Sequence, residues 1–334
     1  MVRPYYTIPV NQDQDKTQSN MNESNVKTNS WKAWILAARP KTLSGAAVPV
    51  MIGTGFALRD AGASSFQAIP AILCFLFAFI MQIDANFIND YFDGMKGNDD
   101  KTTRLGPKRA CSEGWITLSK MRRGIVMTTI LACLTGLPLI IYGGFWMIAV
   151  GVLCVLFCFL YTTRLSYMGL GDILVLLFFG IIPVCLTYYL ELPATMHRIT
   201  VEILLASIAC GLVIDTLLVV NNYRDRDNDR RDGKKTLVVR IGERNAERLY
   251  LSDGLLAILI MIGILVSYTL NHFSPEWKIV MAVALLIFYG TLHCYTYSLM
   301  KKINHGKELN RILGKNARNM FLFGLIVAIS AIFI

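Results

Sequence analysis

The sequence predicts an all-α membrane protein, a bundle of about nine transmembrane helices around a cavity open to the cytoplasm. Three observations lead there. Hydrophobic residues fill 54% of the 334 positions and charged residues only 17%, where soluble domains carry about a quarter charged; mean hydropathy is +0.47. Apolar runs long enough to cross roughly 30 Å of hydrocarbon are centred near Val48, Phe79, Ile130, Val155, Leu177, Ser207, Leu259, Ala284 and Ile326. Basic residues also gather in alternate connections between those runs.

Residues 1–30 are a different material, rich in Asn, Gln, Ser, Asp and Lys and lacking apolar periodicity. They are expected to form a disordered polar tail, and residues 31–334 a single transmembrane domain. The first long apolar run begins only near Ile35, so no cleavable signal peptide is expected. Span one opens on Ala38-Arg39-Pro40-Lys41-Thr42. Arg39, beside the apolar run, either anchors to headgroups or serves an anion.

Span two ends in Gln82-Ile83-Asp84-Ala85-Asn86-Phe87-Ile88-Asn89-Asp90-Tyr91-Phe92-Asp93. Helical spacing places Asn86, Asn89, Asp90 and Asp93 on one polar stripe. The following segment, Gly94 to Arg123, holds eight Lys and Arg, among them Arg104, Lys108 and Arg109. Span four closes on Tyr161-Thr162-Thr163-Arg164, where Arg164 presents the same two alternatives as Arg39.

Span six repeats the polar pattern. Asn221, Asn222, Asp225 and Asp229 recur at helical spacing, with Asp215 and Asp227 nearby. Nine Lys and Arg lie between Tyr223 and Leu249, including Arg230, Arg231, Lys234 and Lys235, and five more between Lys301 and Asn316. Connections near Arg59, Gly143, Arg198 and Phe273 hold almost none. The positive-inside rule then places the basic loops and the N-terminus in the cytoplasm and Ile334 outside. The net charge of +10 thus reports membrane orientation, and no nucleic-acid partner is expected.

Seven of the eight cysteines, Cys74, Cys133, Cys154, Cys158, Cys185, Cys210 and Cys294, fall within spans and none forms a CxxC pair. Apolar packing explains them. Four scattered histidines argue against zinc.

Carboxylates at membrane depth cost a few kcal/mol each and persist mainly where function or pairing requires them. Asp227 and Asp232 read as ordinary ion-pair partners of neighbouring arginines. The paired stripes read as hard oxygen ligands, because Mg²⁺ prefers one or two carboxylates together with substrate phosphate oxygens. Two stripes facing one cavity could hold Mg²⁺ around a diphosphate. Of the adjoining cations, Lys234, Arg104 and Arg109 are the candidates for the diphosphate itself.

At these residues the sequence resembles the UbiA superfamily of membrane prenyltransferases. Asn89-Asp90-Tyr91-Phe92-Asp93 fits the first acidic motif and Asp225-Arg226-Asp227-Asn228-Asp229 the second. Within the superfamily the sequence is most similar to the dihydroxynaphthoate branch, through NDYFDGMKG from Asn89, RLGPKR from Arg104, GLGD from Gly169, FFG from Phe178, and NNYRDRDNDRRDGKKTLVVRIG from Asn221. One departure is visible. Gly97 replaces the last Asp of the first motif, with Asp99 and Asp100 two and three positions later, so Asp99 is a substitute candidate.

The resemblance implies Mg²⁺ held by Asn89, Asp93, Asp225 and Asp229, with Arg39, Arg104, Arg109, Arg164 and Lys234 toward the diphosphate. It implies transfer of a polyprenyl group from a polyprenyl diphosphate to 1,4-dihydroxy-2-naphthoate, with loss of CO₂, giving a demethylmenaquinone in the inner (cytoplasmic) membrane. Another aromatic acceptor such as 4-hydroxybenzoate is the nearest rival. A membrane cation transporter would explain the acidic stripes but not the dense cations beside them. A CDP-alcohol phosphotransferase would need a DGxxAR-like motif, which the sequence lacks.

Overall fold

The computed structural model of the protein describes residues 26–96, 104–272 and 275–333. Among these residues all regular structure is helical. Nine helical spans are long and apolar enough to cross a membrane: Trp31–Ala61, Ala68–Met95, Leu118–Gly143, Trp146–Leu165, Gly171–Glu191, Val201–Arg231, Glu243–His272, Glu276–Ile303 and Leu309–Phe333. Each expected centre falls within one of them. The chain is a multi-pass membrane protein.

Most of the expected tail, residues 1–25, lies outside the described residues, as do Asp99, Asp100 and Ile334. From Val26 onward the chain is docked. The amide of Asn29 donates to the Trp115 carbonyl at 2.7 Å and the Thr28 hydroxyl to Gly114 at 3.1 Å. Val26 packs with Trp115 and Ile116 in the same apolar cluster.

Span one is broken where its sequence demands it. Pro40 disfavours right-handed helix at the residue before it, and Arg39 takes the left-handed conformation (φ 51°, ψ 69°), its amide closing helix Trp31–Ala38 onto Leu36. The chain restarts through a 3₁₀ turn, Pro40–Thr42, into helix Leu43–Ala61. The Arg39 side chain is thereby set at a bend, where a continuous helix would have aimed it elsewhere.

Span six organises the bundle. Thr200 caps it, its hydroxyl accepting from the Ile203 amide at 3.2 Å, and 31 residues of unbroken helix follow. At 1.5 Å per residue that is about 46 Å, well beyond the hydrocarbon thickness, so one end projects past the apolar layer carrying its acids. Its apolar turns pack against spans one, five, seven and nine. Gly180 and Gly211 bring spans five and six backbone to backbone: a Cβ on Gly180 would lie 2.7 Å from the Gly211 Cα.

At the opposite end of the bundle, polar ties close the structure. Arg59 pairs with Asp60 at 2.7 Å and with Glu202 at 2.8 Å. Tyr188 donates to Asp60 at 2.6 Å and Thr54 to Glu191 at 2.9 Å. These contacts join spans one, five and six. At the acidic end, by contrast, spans two and six make no extensive contact with each other. The two polar stripes therefore belong to walls held apart by their neighbours.

Candidate active site

Span two does not present its whole stripe to one place. Consecutive helical residues differ by about 100°, so Asn89 and Asp90 stand at opposite edges of it. Asp90 is buried, and its two oxygens accept from the amides of Ala110 and Cys111, both at 2.9 Å. Asn86 is buried too and donates to the Ala38 carbonyl at 2.9 Å and the Thr42 hydroxyl at 3.0 Å. The expectation that all four stripe residues face one cavity is corrected here. Asn86 and Asp90 satisfy backbone groups at the span-one bend and in the following loop, which would otherwise be buried unpaired.

Asn89 and Asp93 remain. Asn89 accepts from the Thr162 hydroxyl at 2.6 Å, which joins span two to the end of span four. Asp93 is half-buried and receives Arg109 Nη2 at 2.8 Å. Arg109 precedes the two residues whose amides Asp90 holds, so one stripe residue positions the cation that its neighbour binds.

The loop from Arg104 to Ala110 connects the two walls. Arg104 Nε donates to the Pro107 carbonyl at 2.7 Å. Gly106 lies against span six, where a Cβ would fall 2.9 Å from Arg224 Nη2 and 3.4 Å from Arg104 Nη2. The Leu105 carbonyl accepts from Asn310 Nδ2 at 2.8 Å, and Asn310 Oδ1 accepts from Arg224 Nη1 at 2.7 Å. Arg224, itself buried, also holds Asn221 at 2.7 Å and, through Nε, Asp225 at 2.8 Å.

Of the second motif, Asp225 and Asp229 sit one helical turn apart and are both cation-paired. Lys234 Nζ lies 3.5 Å from Asp229, and the Lys234 amide donates to the Asp229 carbonyl at 2.8 Å. The ammonium also stands 5.3 Å over the Tyr167 ring. Gly169, in GLGD, makes this possible. Its φ is +77° and a Cβ would collide with the Lys235 carbonyl, while the Lys235 amide donates to the Tyr167 carbonyl at 3.1 Å. Only glycine lets the two connections close this tightly.

Asp227 points away, exposed, toward His305 at 3.6 Å, in place of the neighbouring arginines expected as its partners. Arg226 is buried on another side of the helix, where it donates to the carbonyls of Tyr223 at 2.6 Å and Asn304 at 2.8 Å and pairs with Glu243 at 3.2 Å. Arg224 and Arg226, alike in sequence, thus serve different neighbours. The partners Thr162, Asn304 and Asn310 carried no sequence signal of their own.

Arg39 lies within electrostatic reach of Arg104, Arg109, Asp90 and Asp93, and its Nη2 is buried without a hydrogen-bond partner. Its half-buried guanidinium converges on the Asp93 wall. Arg164, two residues after Thr162, is exposed. Among the described residues no three His, Cys, Asp or Glu side chains cluster closely enough to hold a metal by themselves. Cys111, beside Asp90 in the loop, has its thiol pushed up to about 12 by burial and by the Asp90 carboxylate.

Comparison with known proteins agrees with this architecture. A sequence model described as the UbiA prenyltransferase family matches residues 46–312. The 1,4-dihydroxy-2-naphthoate octaprenyltransferase of Escherichia coli (strain K12) is 36% identical over 267 residues, 77% of this chain and 83% of that protein. The protein of the same name from Mycobacterium tuberculosis (strain ATCC 25618 / H37Rv) is 32% identical over 302 residues, 90% and 96% of the two. Among solved structures, a UbiA homolog from Archaeoglobus fulgidus bound to GPP and Mg²⁺ superposes with a TM-score of 0.60 at 15% identity, covering 90% of this chain and 100% of that one. That likeness is one of fold.

Proposed function

This chain belongs to the UbiA prenyltransferase family, and from that membership we propose that it transfers a polyprenyl group from a polyprenyl diphosphate to 1,4-dihydroxy-2-naphthoate at the cytoplasmic face of the cytoplasmic membrane. The observation that carries the reading is the pair of acid–cation sets, Asp93 with Arg109 and Asp225–Asp229 with Arg224 and Lys234, linked through the Arg104–Ala110 loop. Relatives named for the naphthoate reaction support the acceptor. The three basic connections support the orientation.

The donor set fits Mg²⁺. Asn89, Asp93, Asp225 and Asp229 are hard oxygen donors, and their dispersal over two walls suits an ion that takes one or two carboxylates and completes its shell with phosphate oxygens and water. When bound between them, Mg²⁺ supplies charge neutralisation of the diphosphate leaving group.

The chain's own cations complete the site. Arg109 and Lys234 each neutralise a carboxylate in this structure and are positioned to turn toward an incoming diphosphate, while the unpartnered Arg39 nitrogen offers a ready donor. In surroundings poor in water such preorganised donors stabilise the departing oxyanion far more than in bulk. The C1–O bond of the prenyl diphosphate breaks, its electron pair leaving with the diphosphate. The ring carbon bearing the carboxylate attacks the allylic cation. The C–CO₂ electron pair then restores aromaticity as CO₂ departs, so no proton need be removed from the ring.

Purified protein in detergent or membranes, given Mg²⁺, a prenyl diphosphate and carboxyl-labelled dihydroxynaphthoate, is expected to release one labelled CO₂ per prenyl group transferred. A prenylated product that keeps the label overturns the decarboxylative route, and transfer to 4-hydroxybenzoate alone overturns the acceptor. Cysteines introduced at Arg231 and Arg198 test the orientation. Reaction of the first with an impermeant external reagent in intact cells would reverse it.

A further inference from the structure

Three carboxyl groups inside the bundle take no part in the site described above: Asp172 on span five, Asp215 on span six and Asp253 on span seven. Asp215 and Asp253 are 7% and 5% exposed. Oδ1 of Asp215, Oδ2 of Asp253 and both oxygens of Asp172 are buried, and none meets a partner beyond the amide of Asp172 itself. The three act on one another electrostatically, Tyr161 faces Asp172 and Asp215, and no basic group among the described residues offsets them.

Helical register connects them to the reaction. Asp215, Asn222 and Asp229 follow at seven-residue steps, with Leu218 and Asp225 between them, so all five share one face of span six. Asp215 lies about 10 Å below Asn222 and about 15 Å below Asp225 along that face. Leu218, one turn above Asp215, is where span four meets span five. A Cβ on Gly171 would sit 3.3 Å from Leu218 Cδ2 and 3.9 Å from the Tyr161 hydroxyl. The neighbour of Tyr161, Thr162, is the residue that holds Asn89.

The carboxyls therefore form a floor beneath the cation-lined roof. The backbone is adjusted around them as well. Tyr161–Leu165 and Leu176–Ile181, on either side of Asp172, are both π-helical turns, insertions that re-aim side chains and recur at functional sites. A purely structural role would have supplied partners, as it did for Asp84, which accepts from Thr128 and Thr129. Intramembrane acids left unpaired point instead to a ligand.

We propose that Asp172 and Asp215, with Tyr161 and Asp253 beside them, form a subsite that accepts hydrogen bonds from the phenolic hydroxyls of the aromatic acceptor. This rests on the function proposed above and adds how its acceptor is chosen and turned. A diphenol brings O–H donors to a place rich in carboxyl oxygens, and its carboxylate is drawn away from the floor by the cations on the other side, Arg109, Lys234 and Arg39. The carbon bearing that carboxylate then faces the prenyl C1. An analogue lacking the far hydroxyl leaves buried acceptors unpaired, the circumstance in which sites discriminate most strongly.

The test uses the full-length enzyme with Mg²⁺ and a prenyl diphosphate, comparing 1,4-dihydroxy-2-naphthoate with 1-hydroxy-2-naphthoate. Wild type is expected to prefer the dihydroxy acceptor at least about 100-fold in kcat/KM. Asp172→Ala and Asp215→Ala are expected to raise KM for that acceptor tenfold or more, leave KM for the prenyl diphosphate within about twofold, and reduce the preference at least tenfold. Where an alanine variant fails to fold, Asp172→Asn or Asp215→Asn is read in its place, and the wild-type preference stands as an independent measurement. Equal use of both acceptors by wild type, or unchanged selectivity in the variants, overturns the subsite alone. Absence of wild-type turnover on the naphthoate overturns the proposed function and the subsite with it.

Discussion

Asp90 Oδ2 accepts a hydrogen bond from the Ala110 amide at 2.9 Å, across the interval that separates span two from the loop bearing Arg109. Its other oxygen takes the Cys111 amide. A residue in the middle of the first acidic motif thus works on the protein's own backbone, which leaves Asn89 and Asp93 for the proposed ion.

Replacing Asp90 by Ala should strand two amides, each worth roughly 1–3 kcal/mol when left unsatisfied. We expect a stability loss of about 2–4 kcal/mol, seen as a lowered melting temperature in detergent, and a higher KM for the prenyl diphosphate as Arg109 drifts. Asp90→Asn, which keeps one acceptor, should fall between. Recovery of full activity at high Mg²⁺ would place Asp90 among the ion's ligands instead.

Asp93→Ala and Asp225→Ala should be set apart by their loss of turnover. Both carboxylates are partly exposed, at 21% and 27%, and Arg224 keeps Asn221 and Asn310 when Asp225 is gone. Each change takes a charged acceptor from a largely buried arginine, so stability should fall by roughly 1–3 kcal/mol, while turnover falls at least about 100-fold, the scale of losing a group that stabilises transition-state charge. Chelation should abolish wild-type activity and Mg²⁺ restore it. Near-normal turnover in either variant would refute a shared site.

Arg226→Ala separates architecture from chemistry. The substitution leaves the Asn304 carbonyl without its donor and Glu243 without its cation. Removing one partner of a buried charge typically costs about 3–5 kcal/mol, and with Glu243 half exposed we expect about 3 kcal/mol. The variant should unfold earlier but, while folded, retain its KM for both substrates. A selective rise in the diphosphate KM would reassign Arg226 to the site.

The Cys111 thiol supplies a pH dependence. Burial and Asp90 disfavour its thiolate, pushing it up to about 12 from an ordinary value near 8.5. Its folded form holds the proton more tightly, so the associated stability is complete below about pH 8.5 and is lost as pH rises toward 12. Iodoacetamide at pH 8.5 should label Cys111 at least about 100-fold more slowly in the native protein than after denaturation, as read by peptide mass spectrometry. Asp90→Asn should accelerate native labelling; equal rates in both would show the thiol unprotected.

Much of this protein is legible in the chain alone, because its solvent is severe. Hydrocarbon admits only helices whose backbone is satisfied internally, so nine apolar runs near Val48 through Ile326 fix nine spans with little competition from alternatives. Charge asymmetry supports the proposed orientation, and the spacing of Asn89 with Asp93 and Asp225 with Asp229 marks the ends proposed to carry the chemistry. Sequence spacing could not divide the stripe at Asn89–Asp90, nor tell Arg224 from Arg226. Those residues have the same chemistry and nearly the same register, and their roles depend on what stands opposite: the Ala110 amide, the Thr162 hydroxyl, Asn310 or Asn304. Nor could it show that Asp172, Asp215 and Asp253, far apart in the chain, lie within electrostatic reach of one another, each with a buried oxygen left without a side-chain partner. Polar groups in a low-dielectric interior are defined by the neighbours that satisfy them or fail to, and only the packed bundle decides which neighbours those are.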